Sequence, residues 1–247
     1  VTDPNTTQVH MAISSIHNDK LKEIRKLHRR RARDRAGRFV AEGEDLLAAA
    51  DAAGWTARER YCTAGSGLAG VEVEPRVLAS ASALGSGTRA LGVYEERWAP
   101  APLGPLCVYL HGVGDPGNVG AVLRSAQAFG ASSVALGPGS ADPFGPKAVR
   151  ASMGAVFCVP VARADDLTAL PGQTIALVLG AGIPLSQLDP AGLGDLSLLV
   201  GAERDGLPQE LVAAADQVVH IPIHTHSLNA AMAATVALYE VTRMAPR

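Results

Sequence analysis

GDPGNVGAVLRSAQAFG, residues 114–130, decides how the rest of the chain is read. A glycine-rich turn runs straight into a segment of small and apolar residues that a single arginine, Arg124, interrupts. Asn118 is the expected N-cap, residues 119–129 the helix, and Gly130 its left-handed stop. Gly117 and Gly120 remove side chains on the approach to the helix start, so a polar or anionic group has room to come close. Arg124 shares its face with Gly120, Ala121, Gln127 and Ala128. Such neighbours leave a guanidinium uncovered and able to meet a phosphate with its paired donors; a solvent-facing arginine is the plain alternative.

The same turn spells G-x-G-x-x-G through Gly112, Gly114 and Gly117, which invites a dinucleotide-binding reading. Pro116 argues against it, because it stiffens the loop where a pyrophosphate meets consecutive backbone N–H groups. The next strand ends in GPGSAD, so a ribose-binding acid is available only as Asp142, beyond two glycines and a proline.

Around this turn, strand-like and helix-like runs alternate. LCVYLHG, SSVALGPG, CVPVA, TIALVLGA, LSLLVGAE and HIPI read as strands, FGPKAVRASMGAVF as a helix with proline in its first turn, and LNAAMAATVALYEVTR as a long final helix. Strands without strict polar alternation, separated by helices, predict a parallel sheet covered on both faces. APAPLGP, residues 99–105, is the expected linker. It separates a first domain (residues 1–98) from a second (residues 106–247).

The first domain reads as small and α/β. Leu21, Ile24 and Leu27 recur at helical spacing, and RFVAEGEDLLAAADAAG reads as a short strand and a helix ending near Gly54. The net charge of the chain is −2, but residues 20–38 hold ten of the 22 Lys and Arg against Glu23 and Asp34. That block predicts an amphipathic helix running into a mobile arginine-rich turn, with Arg29, Arg30, Arg31, Arg33 and Arg38 on nucleic-acid phosphates; a solvated helix face is the bland alternative. Cys62, Cys107 and Cys158 are odd in number and widely spaced, which predicts reduced, buried thiols in a cytoplasmic protein. No apolar run reaches membrane-spanning length, and VTDPNTTQVH lacks a basic-then-apolar leader pattern.

Two later stretches also put small residues and chemistry at strand ends. LLVGAERDGLP places Glu203 just past Gly201, and HIPIHTHSLNAAMAATVALYE places Ser227 as the expected N-cap of the last helix, with Asn229 in its first turn. In this order the three stretches resemble the SpoU-type (TrmH-like) RNA ribose 2′-O-methyltransferases of the SPOUT superfamily, over residues 106–239. ISSIHNDKLKEIRKLHRRRARDRAGRFVAEGEDLL resembles, more weakly, their L30e-like RNA-binding domain.

The resemblance implies a deep C-terminal trefoil knot, which periodicity does not reveal. It implies S-adenosylmethionine held by Leu179, Gly180, Gly201, Ile221 and Leu228, and a homodimer, for which the small face Ala230, Ala233, Ala234 and Ala237 is suited, although packing within the chain is equally open. It assigns Arg124 to ribose activation, with Asn118 and Glu203 orienting it and Ser227 and Asn229 fixing the loop and substrate. Its substrate is RNA, ribosomal by analogy. The third stretch departs from the family pattern: two residues are missing between the Ile-Pro pair and Ser-Leu-Asn. That compression gathers His220, His224 and His226, but without clustered Cys, Asp or Glu no metal is expected. A non-catalytic RNA-binding protein and a Rossmann oxidoreductase are the competing classes.

Overall fold

The computed structural model describes residues 12–84, 87–189, 194–225 and 227–244. It divides into two compact units, Val1–Glu95 and Glu96–Arg247.

The first unit contains α1 (Asp19–Leu27), α2 (Arg30–Ala36), β1 (Arg38–Glu42), α3 (Glu44–Ala52), β2 (Glu59–Thr63), β3 (Val71–Val73), α4 (Pro75–Ala81) and β4 (Ala90–Glu95). Its sheet has the order β1-β4-β2-β3, with β2 and β3 parallel and the other pairs antiparallel. The Asn18 side chain caps α1 by accepting from the backbone N–H groups of Lys20 and Leu21. Leu21, Ile24 and Leu27 are buried with Val40, Tyr61, Leu78 and Leu91, as their spacing predicts. The expected arginine-rich turn is instead the helix α2, closed by Gly37 at φ +61°. Arg33 lies inside it, only 3% exposed, and donates from Nη1 to the Leu27 carbonyl at 2.9 Å. That corrects its placement on RNA: a guanidinium spent on the end of α1 is not presented to a phosphate.

The second unit contains β5 (Leu106–Leu110), α5 (Pro116–Ala128), β6 (Ser133–Leu136), α6 (Pro146–Ala151), β7 (Val161–Arg163), β8 (Gln173–Leu177), β9 (Ile183–Pro184), β10 (Leu196–Val200), α7 (Gln209–Ala214), β11 (Gln217–His220) and α8 (Ala230–Met244). The expected parallel sheet is present, in the order β7-β6-β5-β10-β8-β11-β9, with every pair parallel. Every residue of β5 and β10 is buried, which is why their sequences do not alternate. The chain builds outward from β5 to β7, then returns to β8, and β10 fills the place between β5 and β8. The carboxyl ends of β5 and β10 therefore meet at a topological switch point, where open α/β sheets hold ligands.

Several expectations shift. The boundary falls at Glu95–Glu96, ahead of the proline-rich stretch. Ala99 donates to the Val161 carbonyl at 2.8 Å, and Leu103 exchanges two 2.8 Å hydrogen bonds with the Ser133 hydroxyl, so this stretch is fastened to the second unit. HIPI is strand only at His220, since β11 starts earlier and ends there. Cys62 and Cys107 are buried free thiols, whereas Cys158 is exposed. The short β3, β9 and α7 carry too few periodic positions to stand out in the sequence. Residues 1–11, which include the N-terminal stretch, lie outside the described residues. No helix among the described residues is long and apolar enough to cross a membrane.

Candidate active site

The turn after β5 starts its helix three residues earlier than its glycines suggest. Asp115, not Asn118, is the N-cap, and Pro116 takes the first helical position. Asp115 Oδ1 accepts from the Asn118 backbone N–H at 3.1 Å, and its other oxygen, Oδ2, meets Lys147 Nζ at 2.6 Å. Lys147 and the helix-start N–H groups hold the Asp115 carboxyl below the usual carboxylate range. The helix stop at Gly130, φ +71°, is as expected.

This start releases the Asn118 side chain for tertiary contacts. Its Nδ2 donates to Glu203 Oε1, and its Oδ1 accepts from Asn229 Nδ2 at 3.1 Å. Asn229, rather than Ser227, caps α8: its Oδ1 accepts from the backbone N–H groups of Ala231 at 3.0 Å and Met232 at 3.2 Å. Ser227 is exposed and accepts, through its carbonyl, the Thr225 hydroxyl at 3.1 Å. Asn118, Glu203 and Asn229 thus come together from three elements, and the assignments of Asn118 and Ser227 as caps are corrected.

Glu203 reaches this network because of a tight turn. Ala202 and Gly206 exchange backbone hydrogen bonds of 3.1 and 3.0 Å, and Gly206 adopts φ +67°. A Cβ on Gly201 would run into the backbone of Gly206 and Leu207, so only glycine lets this turn fold back on the end of β10.

The helix glycines have a different purpose from the expected one. A Cβ on Gly120 would overlap the Ala148 carbonyl and sit 2.7 Å from Ala151 Cβ, so Gly120 serves the packing of α5 on α6. A Cβ on Gly117 would lie 2.7 Å from Asp115 Oδ1 and 3.1 Å from Lys147 Cε. The space left by both glycines is filled by the chain itself.

Helices α5 and α8 run side by side. The hydroxyls of Ser125 and Thr235 lie 2.6 Å apart, and Phe129 meets Tyr239 edge-on at 6.0 Å. Arg124 is exposed on α5 and has no hydrogen-bond or ion-pair partner among the described residues. The small face of α8 is used within the chain, where Ala230, Ala234 and Ala237 are buried and Ala233 is half-buried.

Beside this network opens a cleft of about 110 Å³, continuous with solvent. Four of the five residues expected to hold a cofactor line it: Leu179, Gly201, Ile221 and Leu228. Gly180 does not line it; it sits in the turn after β8 at φ +64°. Apolar side chains and strand-end backbone form the walls, and Glu203 lines the same cleft, which suits a nucleoside with a polar end. His220 Nδ1 lies 3.3 Å from the Ala181 carbonyl, and His226 is outside the described residues.

Residues 105–239 match the model of the SpoU rRNA Methylase family. The chain belongs to the SpoU rRNA methylase family. The remaining expectation of relatedness also holds, since residues 18–96 match an MRM3-like substrate binding domain. This SpoU-family chain is 27% identical to the 23S rRNA (guanosine(2553)-2′-O)-methyltransferase RlmP of Bacillus subtilis, over 93% of this chain and 98% of that protein. It resembles the AdoMet-bound rRNA methyltransferase from Sinorhizobium meliloti at 32% identity and a TM-score of 0.85, covering 96% of this chain and 99% of that one. It also resembles the SpoU methyltransferase AviRb from Streptomyces viridochromogenes in complex with AdoMet, at 26% identity and a TM-score of 0.81, covering 92% and 97%. The chain spans about half the length of several other curated relatives that it matches.

Asp115 and Lys147 are the site residues that sequence reasoning missed. The signal was present for Asp115: an Asp-Pro pair ahead of a helix is an N-cap followed by a first-position proline. Nothing local points to Lys147, which lies on another helix.

Proposed function

We propose that this protein is an S-adenosylmethionine-dependent methyltransferase acting on the ribose 2′-hydroxyl of RNA, with ribosomal RNA as its substrate. The observation that carries this reading is the Asn118–Glu203–Asn229 network, which ties the helix bearing Arg124 to the mouth of the apolar cleft. Leu179, Gly201, Ile221 and Leu228 would hold the cofactor. When bound, S-adenosylmethionine supplies an electrophilic methyl group.

The residues of the chain supply the rest. A ribose hydroxyl is a poor nucleophile until it loses its proton, and it must sit about 3–3.5 Å from the carbon it attacks. A guanidinium offers five N–H donors and no acceptor, so Arg124 acts here by donating hydrogen bonds. It therefore clamps the phosphate beside the reacting ribose and stabilises negative charge growing on the 2′-oxygen. Asn118 and Glu203 orient the ribose, while Asn229 fixes the start of α8 and Ser227 lies on the exposed approach to it.

RNA capture falls to the first unit. Arg29, Arg31, Arg35 and Arg38 are exposed there without an ion-pair partner among the described residues, and Arg30 lies 4.0 Å from Asp34. The assembly is a homodimer. Met232, Val236 and Tyr239 are 62%, 40% and 53% exposed on one face of α8, a stripe that a second copy would cover. The trefoil knot and a cytoplasmic location belong to the same reading.

The test is mapping of ribose 2′-O-methyl groups in ribosomal RNA incubated with protein and cofactor. Labelled methyl groups on bases alone, or none, would overturn it.

A further inference from the structure

Lys147 lies on α6, in the stretch FGPKAVRASMGAVF, and the family resemblance assigns it no role. It nevertheless reaches across to the residue that opens α5, where its ammonium meets Asp115 Oδ2 at 2.6 Å. The opposite oxygen of that carboxylate receives the Asn118 backbone N–H at 3.1 Å. Gly117 completes the arrangement, because a side chain there would collide with the Asp115 carboxylate and the Lys147 stem together.

A carboxylate turns easily about its last bond and offers two equivalent oxygens. With one oxygen held by Lys147, the other is left to fix the Asn118 N–H. Asn118 then presents both ends of its amide, one to Glu203 and one to Asn229. The Lys147 and Asp115 side chains are 65% and 44% exposed, so this ion pair adds little to stability. Its effect is on geometry.

We infer that Lys147 is a positioning residue for methyl transfer: through Asp115 it sets the first turn of α5 and so aims Asn118 at Glu203 and Asn229. The inference rests on the methyltransferase reading above.

The experiment compares K147M, K147R, D115N and the K147M/D115N double variant in the full-length protein. Asparagine caps a helix as well as aspartate does, so D115N removes the ion pair and keeps the cap. In K147M and in D115N the methyl-transfer kcat should fall on the order of tenfold, the scale of a small misplacement of reacting groups. The KM for RNA, the cofactor Kd and the melting temperature should stay near the wild-type values. K147R should recover most of the rate, and the double variant should be no slower than D115N, because both changes cut one connection. A kcat for K147M within about twofold of wild type overturns the inference, as does an additive double variant. So does a loss confined to the RNA KM with a shallower salt dependence, which would make Lys147 a phosphate ligand instead.

A second readout does not need activity. The side-chain amide resonances of Asn118 in ¹⁵N spectra should move in K147M and return in K147R. Wild-type protein that transfers no methyl group to ribosomal RNA defeats the functional reading alone. Asn118 resonances that stay in place in K147M defeat the positioning role alone.

Discussion

Asn118 donates its side-chain amide to the Glu203 carboxylate, a hydrogen bond between residues 85 positions apart in the chain. It joins the turn after β5 to the turn after β10, the two strand ends that meet at the switch point of the sheet. The oxygen of the same amide accepts from Asn229 at the start of α8. One short side chain therefore sets the relative position of three loops around the cleft.

Removing that side chain tests the network. Asn118→Ala should slow methyl transfer on the order of a hundredfold, the scale of losing one preorganised polar group at a reacting centre. Cofactor affinity measured by calorimetry should hardly change, since Asn118 does not line the cleft. Asn118→Asp should be slower still at neutral pH, because it sets a second carboxylate against Glu203. Single-turnover rates near wild type in either variant would take the network out of the mechanism.

Arg124 separates charge from geometry. Arg124→Ala should abolish transfer and leave cofactor binding intact. Arg124→Lys keeps the charge but loses the planar pair of donors. Recovery of much of the rate by lysine would mean that Arg124 supplies charge alone; a lysine variant as slow as alanine would show that bidentate geometry matters. The exposed position of Arg124 makes either substitution harmless to folding, which circular dichroism checks.

Gly201 faces the cleft, yet the space beside its Cα is filled by Gly206 and Leu207. Gly201→Ala should therefore act on the fold and not merely on cofactor room, costing about 1–3 kcal/mol as an overpacked site does. A lowered melting temperature of the cofactor-free protein, with methyl transfer reduced because Glu203 is displaced, is the expected pair of results. Unchanged stability with weakened cofactor binding would restore the simpler idea that Gly201 only makes room for the ligand.

The basic block divides into surface and interior. Replacing Arg29, Arg31, Arg35 and Arg38 with glutamine should lower the log–log salt slope of RNA binding. On single-stranded RNA the drop should be about 0.7 for each phosphate that is no longer neutralised. Arg33→Ala should leave that slope alone and destabilise the first unit by about 1–3 kcal/mol, because the Leu27 carbonyl loses a buried donor. Filter binding at several salt concentrations, beside thermal unfolding, distinguishes the two groups. An Arg33 variant with normal stability and a shallower slope would return Arg33 to the RNA surface.

Asp216 should reveal itself in acid. The backbone N–H of Thr174 and then its hydroxyl, both at 2.8 Å, hold the Asp216 carboxyl below its ordinary value and tie the start of β8 to the approach to β11. A carboxyl with a lowered folded-state pKa stabilises above the unfolded value of about 3.9, and that contribution is lost as pH falls through the folded value. The stability gap between wild type and Asp216→Ala should be constant near neutrality and shrink below about pH 4. A gap that widens in acid would contradict the shift.

The sequence by itself determined the parallel α/β class, the helical face of Leu21, Ile24 and Leu27, and which stretches carry the chemistry. These follow from local periodicity and from short patterns that act within a few residues. It misread residues whose partners are distant. Asn118 and Ser227 have the composition of N-caps, and only the folded chain shows Asp115 and Asn229 in those places, with Asn118 turned outward to Glu203. Gly117, Gly120 and Gly201 announce missing side chains but not what fills the space; the fillers are Lys147, Ala148 and the backbone of Gly206, brought there by tertiary packing. Arg33 sits among nine other cations between residues 20 and 38, and nothing local distinguishes it. Its burial was decided by where α2 packs on the end of α1, because a guanidinium enters the interior only where a carbonyl is placed to receive it.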